Sequence, residues 1–183
     1  MKASEADIIM VPGTGNDSNH WMARWQSRLS TARLVFGADG DRQVPEDPTG
    51  ATLAAIEASE RPVVLVAHST GVISAIHAAP LAQKRILGAF YVSPPDLEGK
   101  GALARHARRL GDYPRDPLTY PSIVVASRND PNGSYDHAGD LANAWGALLI
   151  DAGESGHIDE QSGHGPWPEG SMVFSRFIAQ LKA

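Results

Sequence analysis

Apolar and polar positions alternate along this chain in two textures. Short runs dense in β-branched residues fall at 8–11, 32–36, 86–92, 122–126 and 147–150, and one more, Val63-Val64-Leu65-Val66-Ala67, leads into Ser69. These read as strands. Between them, apolar residues recur at helical spacing. Trp21, Met22, Trp25 and Leu29 share one face, with Asp17 or Ser18 as the expected cap. Leu53 and Ile56 point inward from a helix that starts at Pro48-Thr49, after a polar, turn-forming stretch at 37–47. Apolar residues at 72–79 follow the run into Ser69. Ala138, Leu141, Ala142 and Trp145 form a later stripe, and Val173, Phe174, Phe177, Ile178 and Leu181 form the last one, after Pro168. Strand and helix patterns alternate to the end, with no repeat and no linker. The pattern predicts one domain over 1–183, built on a mostly parallel sheet of about six strands with helices on both faces.

The stretch at 96–120 interrupts this rhythm. Leu103, Ala107 and Leu110 fit one side of a short helix, with Arg105, Arg108 and Arg109 on a solvated outer side. Pro114, Pro117 and Pro121 then keep the chain irregular. The segment follows a strand whose C-terminal end faces the expected site, so it is read as a small cover.

Ala67-His68-Ser69-Thr70-Gly71 carries the strongest local signal. It is the G-x-S-x-G pattern with alanine in first place, set between a buried strand and a buried helix, which is the context a nucleophile elbow requires. The tight turn crowds the positions two before and two after the serine, so only small residues fit. The strain holds the hydroxyl clear of the sheet. The loop Pro12-Gly13-Thr14-Gly15 lacks both G-x-G-x-x-G and a P-loop lysine, so a phosphate cradle is a poor reading. A backbone N–H of Thr14 offered to an oxyanion suits it better.

Composition narrows the class. A formal charge of −5 and a pI near 5.7 argue against nucleic acid, which needs clustered Lys and Arg. No segment has the apolar length of a membrane span, and residues 1–7 carry acids where a signal peptide needs an apolar core. With no cysteine, disulfides, thiol catalysis and Cys-type zinc sites are excluded. The expectation is a cytoplasmic protein acting on a small molecule.

In parallel sheets, functional residues sit beyond the C-terminal strand ends. Ser69, Asp130 and His157 occupy three such places, and their order along the chain is that of α/β-hydrolases. Serine needs a base as it attacks; imidazole can take and return that proton; a carboxylate fixes its tautomer. The backbone N–H groups of Thr70 and Thr14 are the expected oxyanion donors. Asp130, in Asn129-Asp130-Pro131-Asn132-Gly133, taken alone reads first as a turn former. Among other histidines, His20 is expected to pack beside Trp21, and His68 to point away from Ser69. His77, His106 and His137 are read as surface or core-edge residues. His164 with Asp159 and Glu160 would permit a metal, but no ligand spacing supports one. No cofactor is expected.

These residues resemble the small serine hydrolases typified by retinoblastoma-binding protein 9 and its bacterial relatives. The resemblance runs through Pro12-Gly13-Thr14-Gly15 with His20-Trp21 and Trp25, and through Ala67-His68-Ser69-Thr70-Gly71. It continues in Ala126-Ser127-Arg128-Asn129-Asp130-Pro131, Gly153-Glu154-Ser155-Gly156-His157-Ile158 and Gly163-His164-Gly165-Pro166-Trp167-Pro168. It implies a compact α/β-hydrolase fold, a triad of Ser69, Asp130 and His157, and weak esterase activity on short activated esters. Residues 96–120 match least. The named relative's retinoblastoma-binding segment contains a cysteine; this chain has none, so no such partner is expected. Two rival readings remain: a non-catalytic binding module on the same fold, and a peptidase, for which 96–120 supplies no evident groove.

Overall fold

The structure is a computed structural model that describes residues 1–14, 18–36 and 44–182. Its strands are β1 (Asp7–Val11), β2 (Ala32–Leu34), β3 (Val63–His68), β4 (Ile86–Val92), β5 (Ser122–Ala126) and β6 (Leu148–Asp151). They form one sheet in the order β2-β1-β3-β4-β5-β6, with every pair parallel. The helices are α1 (Trp21–Gln26), α2 (Pro48–Glu57), α3 (Thr70–Ala78), α4 (Ala102–Leu110), α5 (Tyr135–Trp145) and α6 (Pro168–Gln180).

Both faces of the sheet are covered, which is why its central strands read as unbroken apolar runs. Strand parity divides the core into two layers. Ile9, Val11, Leu65 and Ala67 pack with Ile56, Ile73, Leu141 and Trp145, on the side of α2, α3 and α5. Ile8, Met10, Val64 and Val66 pack with Trp21, Trp25, Phe174 and Phe177, on the side of α1 and α6. Trp167, from the Gly-Pro-Trp-Pro block, seals the second layer: its ring lies 4.9 Å from Trp21 and 5.8 Å from Trp25, centroid to centroid.

Several boundaries differ from the expectation. β2 stops at Leu34, although Val35 still donates its N–H to Met10 O at 2.9 Å. The cap of α1 is His20 rather than Ser18: its Nδ1 reaches the Met22 N–H at 3.2 Å and does the work of a short polar side chain. Asp17, the other expected cap, lies outside the described residues, as do 37–43 of the stretch expected to be turn-forming. α1 ends at Gln26, so Leu29 packs from the turn behind it, its N–H on Trp25 O at 2.9 Å.

In the segment at 96–120, Ala104 and Ala107 are the buried residues of α4, and Leu103 and Leu110 are half-buried. Alanines let α4 lie close on α3. The arginines are not only a solvated face. Arg105 donates to Lys100 O at 2.9 Å, and Arg108 to Gly99 O at 2.9 Å and to Leu97 O, so both tie the entry of the helix. The proline-rich part is pinned by Tyr113 Oη to Pro95 O at 3.0 Å and by Trp145 Nε1 to Pro114 O at 2.7 Å. No helix among the described residues is long and apolar enough to cross a membrane.

Candidate active site

The strand order reverses at β1, with β2 on one side and β3 on the other. A crevice therefore opens beyond the C-terminal ends of β1 and β3. Thr14 follows the first of these and Ser69 the second. Ser69 sits at φ 55°, ψ −129°, a conformation a serine holds only when its surroundings impose it. The imposing contacts are on either side. Its N–H donates to Val92 O at 3.0 Å, and the backbone at Gly71 runs against the end of β1. A Cβ on Gly71 would stand 2.2 Å from Val11 O and 2.7 Å from Pro12 O. At position 67 the methyl of Ala67 is buried in the core. The alanine that departs from the usual pattern therefore fits.

Ser69, His157 and Asp130 meet. His157 Nε2 lies 2.8 Å from Ser69 Oγ, and His157 Nδ1 lies 2.9 Å from both Asp130 carboxylate oxygens. The carboxylate assigns the Nδ1–H tautomer, which leaves Nε2 as acceptor for the serine hydroxyl. The His157 and Asp130 side chains are only 8% and 2% exposed, so this pairing is largely shielded from water. Asp130 Oδ1 also accepts the Asn132 N–H at 2.8 Å. Turn former and histidine partner are thus one role: the Asx turn aims the carboxylate.

The two loops that carry Asp130 and His157 are stitched together by residues to which the sequence reading gave no role of their own. Asn129 Oδ1 accepts the Gly156 N–H at 2.7 Å, and Ser127 Oγ accepts the Ser155 N–H at 2.8 Å. Arg128 donates its backbone N–H to Gly153 O at 2.7 Å. Polar residues at alternate positions past the end of β5 were the available signal. Thr14 borders the crevice, where its N–H donates to Thr70 Oγ1 at 3.3 Å. Thr70 opens α3, and N–H groups of a first helical turn have no acceptor within the helix.

The histidines divide differently from the expectation. His20 packs on Trp21 as expected, at 5.3 Å, but its ring also lies 4.8 Å from that of His68. His68 shares the face of Val64 and Val66, so it points away from Ser69 yet under the His157 loop. Its Nε2 is 2.9 Å from His157 O. Burial first, and then the neighbouring His20 and His157, hold its pKa well below the ordinary histidine value, so it stays neutral. His164 instead caps a local turn with Ser162, and among the described residues no group of three or more His, Cys, Asp or Glu could hold a metal.

A cleft of about 140 Å³ reaches Ser69 and His157, lined also by Thr14, His20, Leu103 and Asn132. Leu103 brings α4 to its wall. Larger hollows of about 320 and 360 Å³ flank α6 but touch neither Ser69 nor His157. The chemistry, not the volume, marks the smaller cleft. A serine held by a carboxylate-oriented imidazole beside backbone N–H groups can do nucleophilic acyl transfer.

Comparison with known proteins agrees with this geometry. The family model described as serine hydrolase matches residues 8–176. A YdeN-like hydrolase from Pectobacterium atrosepticum is 28% identical over 96% of this chain and 92% of its own, with a TM-score of 0.80. The ydeN gene product of B. subtilis is 19% identical, covering 96% and 100%, with a TM-score of 0.71. An α/β superfamily hydrolase from Oenococcus oeni is 15% identical, covering 98% and 97%, with a TM-score of 0.67. No curated protein sequence matches the chain. With these structures the chain shares the compact α/β-hydrolase fold.

Proposed function

The chain belongs to the serine hydrolase family, and from that premise we propose that it cleaves a small carboxylic ester through an acyl-enzyme at Ser69. The observation that carries the reading is the continuous path from Ser69 Oγ to His157 Nε2 at 2.8 Å and from Nδ1 to Asp130 at 2.9 Å. Ser69 Oγ attacks the acyl carbon as its proton passes to Nε2. Asp130 stabilises the imidazolium that forms. The N–H groups of Thr70 and Thr14 receive the developing oxyanion, which displaces Thr70 Oγ1 from the Thr14 donor. Collapse breaks the ester C–O bond, and Nε2–H protonates the leaving alcohol. Water then attacks the acyl-enzyme and gives its proton to Nε2, and Nε2 returns a proton to the departing Ser69 Oγ as the acid is released. The proton bookkeeping closes on these side chains, so the scheme calls for no cofactor.

The cleft favours a small acyl group, and a thioester or small amide would follow the same steps. We assign the chain to the retinoblastoma-binding protein 9-like branch on its Asn-Asp-Pro and Gly-x-Gly-Pro-Trp-Pro blocks, without the retinoblastoma partner. We take 96–120 as a cover over a single-domain core and the cytoplasm as the compartment. The test is a fluorophosphonate, which labels base-activated serines, followed by peptide mass spectrometry. The expected adduct is on Ser69 and is lost in His157→Ala. Folded protein without an adduct would sink the enzyme reading in favour of a binding module.

A further inference from the structure

Two consecutive carbonyls of the turn that carries His157 are each met by a buried donor from elsewhere in the chain. His68 Nε2 lies 2.9 Å from His157 O, and Trp21 Nε1 lies 3.0 Å from Ile158 O. Ile158 is at φ 50°, where a β-branched residue is strained, and it is fully buried. A turn of this kind relaxes unless something holds it. We infer that His68 and Trp21 are positioning residues that clamp this turn and thereby fix the His157 imidazole on Ser69, a role that rests on the hydrolase reading above.

The geometry is economical. Adjacent residues of one rigid strand end grip the same histidine twice: His68 holds its backbone and Ser69 meets its ring at 2.8 Å. Because His68 is neutral and donates from Nε2, its Nδ1 carries the lone pair, and that atom is buried with no hydrogen-bond partner. Burying an unmet acceptor is costly, and the bond that the other ring nitrogen makes to His157 O works against that cost. Trp21 is fixed in turn by Trp25 and Trp167, at 4.7 and 4.9 Å. The aromatic layer under the sheet thus supports the loop that carries the base.

The test compares His68→Leu, which removes the donor, His68→Gln, which returns an N–H near the Nε2 position, and Trp21→Phe, which removes the indole donor and keeps a ring. The readouts are fluorophosphonate inactivation rate, kcat and KM on p-nitrophenyl acetate, and near-UV circular dichroism for folding. A displacement of about 1 Å costs about 100-fold in rate. His68→Leu is therefore expected to lose about 10- to 100-fold in kcat and in labelling, with KM nearly unchanged. His68→Gln is expected to recover most of that loss, and Trp21→Phe to lose several-fold. Folded His68→Leu with wild-type kcat, or His68→Gln as impaired as His68→Leu, would overturn the inference. If His68→Leu does not fold, Trp21→Phe decides, and a folded Trp21→Phe with wild-type kcat overturns it. Wild-type protein unlabelled at Ser69 removes the hydrolase reading and this inference together; labelled wild type matched by its variants removes this inference alone.

Discussion

Gly71→Ala should break the elbow, and the size of the effect can be worked from the backbone around it. The added Cβ would stand 2.2 Å from Val11 O, about 1.2 Å short of the 3.4 Å at which ordinary contact begins. Val11 is a buried residue of β1, paired with Ala67 of β3, and a carbonyl has no rotamer to turn away. The start of α3 must move instead. Alanine brings about 1 kcal/mol of helix propensity, against an overpacking cost of about 1–3 kcal/mol or more. Contact with a fixed backbone puts the cost at the upper end, so the net is a loss of about 2 kcal/mol. A movement of about 1 Å at Ser69 also costs about 100-fold in rate. Gly139→Ala in α5 is the control: its Cβ would meet only Leu149 Cδ2, at 3.6 Å. There the same change should stabilise by about 0.5–1 kcal/mol. Urea unfolding at unchanged m and fluorophosphonate labelling of both variants give the comparison. If both glycine variants shift stability the same way, or Gly71→Ala is labelled at the wild-type rate, the close-approach argument is wrong.

Asp130→Asn should lower kcat about 10⁴-fold by offering His157 Nδ1 the wrong partner, and esterase kinetics with retained folding would show it. kcat/KM should rise with pH along one limb that disappears in His157→Ala, and neutral His68 should add no second limb. Burial works to raise the Asp7 pKa, but N–H groups of Arg61 and Glu60 at 3.1 and 3.0 Å and the Arg61 guanidinium outweigh it and hold it below the usual 3.8. Asp7→Asn should therefore lose about 1 kcal/mol at pH 7, a gap that closes as pH falls below ~4; a gap unchanged in urea titrations at low pH would refute this. Ile158→Gly should be more stable than Ile158→Ala by about 1 kcal/mol, because both lose the side chain but only glycine sheds the φ 50° strain.

The sheet was legible because its central strands, covered on both faces, are apolar runs, and helices such as α5 and α6 carry an apolar stripe. The places of Ser69, Asp130 and His157 followed from loop position, since such sheets present chemistry at one end only. What escaped was cooperative geometry. His68 was read by its parity alone, which gives the correct face but not what the fold lays over it from residue 157, distant in sequence. The cap of α1 escaped because histidine is an uncommon cap, and its Nδ1 serves only when the ring is also packed, here on Trp21. The arginines of α4 looked solvated because a helical wheel shows which side faces out. It does not show the carbonyls of 97–100 that fold back toward that side.

Strain in this molecule gathers where the chemistry would be. Among the described residues the non-glycine positions with positive φ are Ser69, Ser93 and Ile158, at the ends of β3 and β4 and beside His157. Each costs about 1–3 kcal/mol if left to itself. Each is held by a bond to another element: Ser69 N–H donates to Val92 O, Ser93 N–H to Val125 O, and Trp21 Nε1–H to Ile158 O. The first two form a staircase that locks the end of β3 to β4 and the end of β4 to β5. The third closes the staircase onto the helix layer beneath. Ile158 explains how such strain persists: full burial of its side chain contributes about 1.5–3 kcal/mol, enough to offset the backbone cost. Ser69 is therefore set by the C-terminal ends of β3, β4 and β5 and His157 by the helix layer beneath, and a change at any of these steps should register at Ser69.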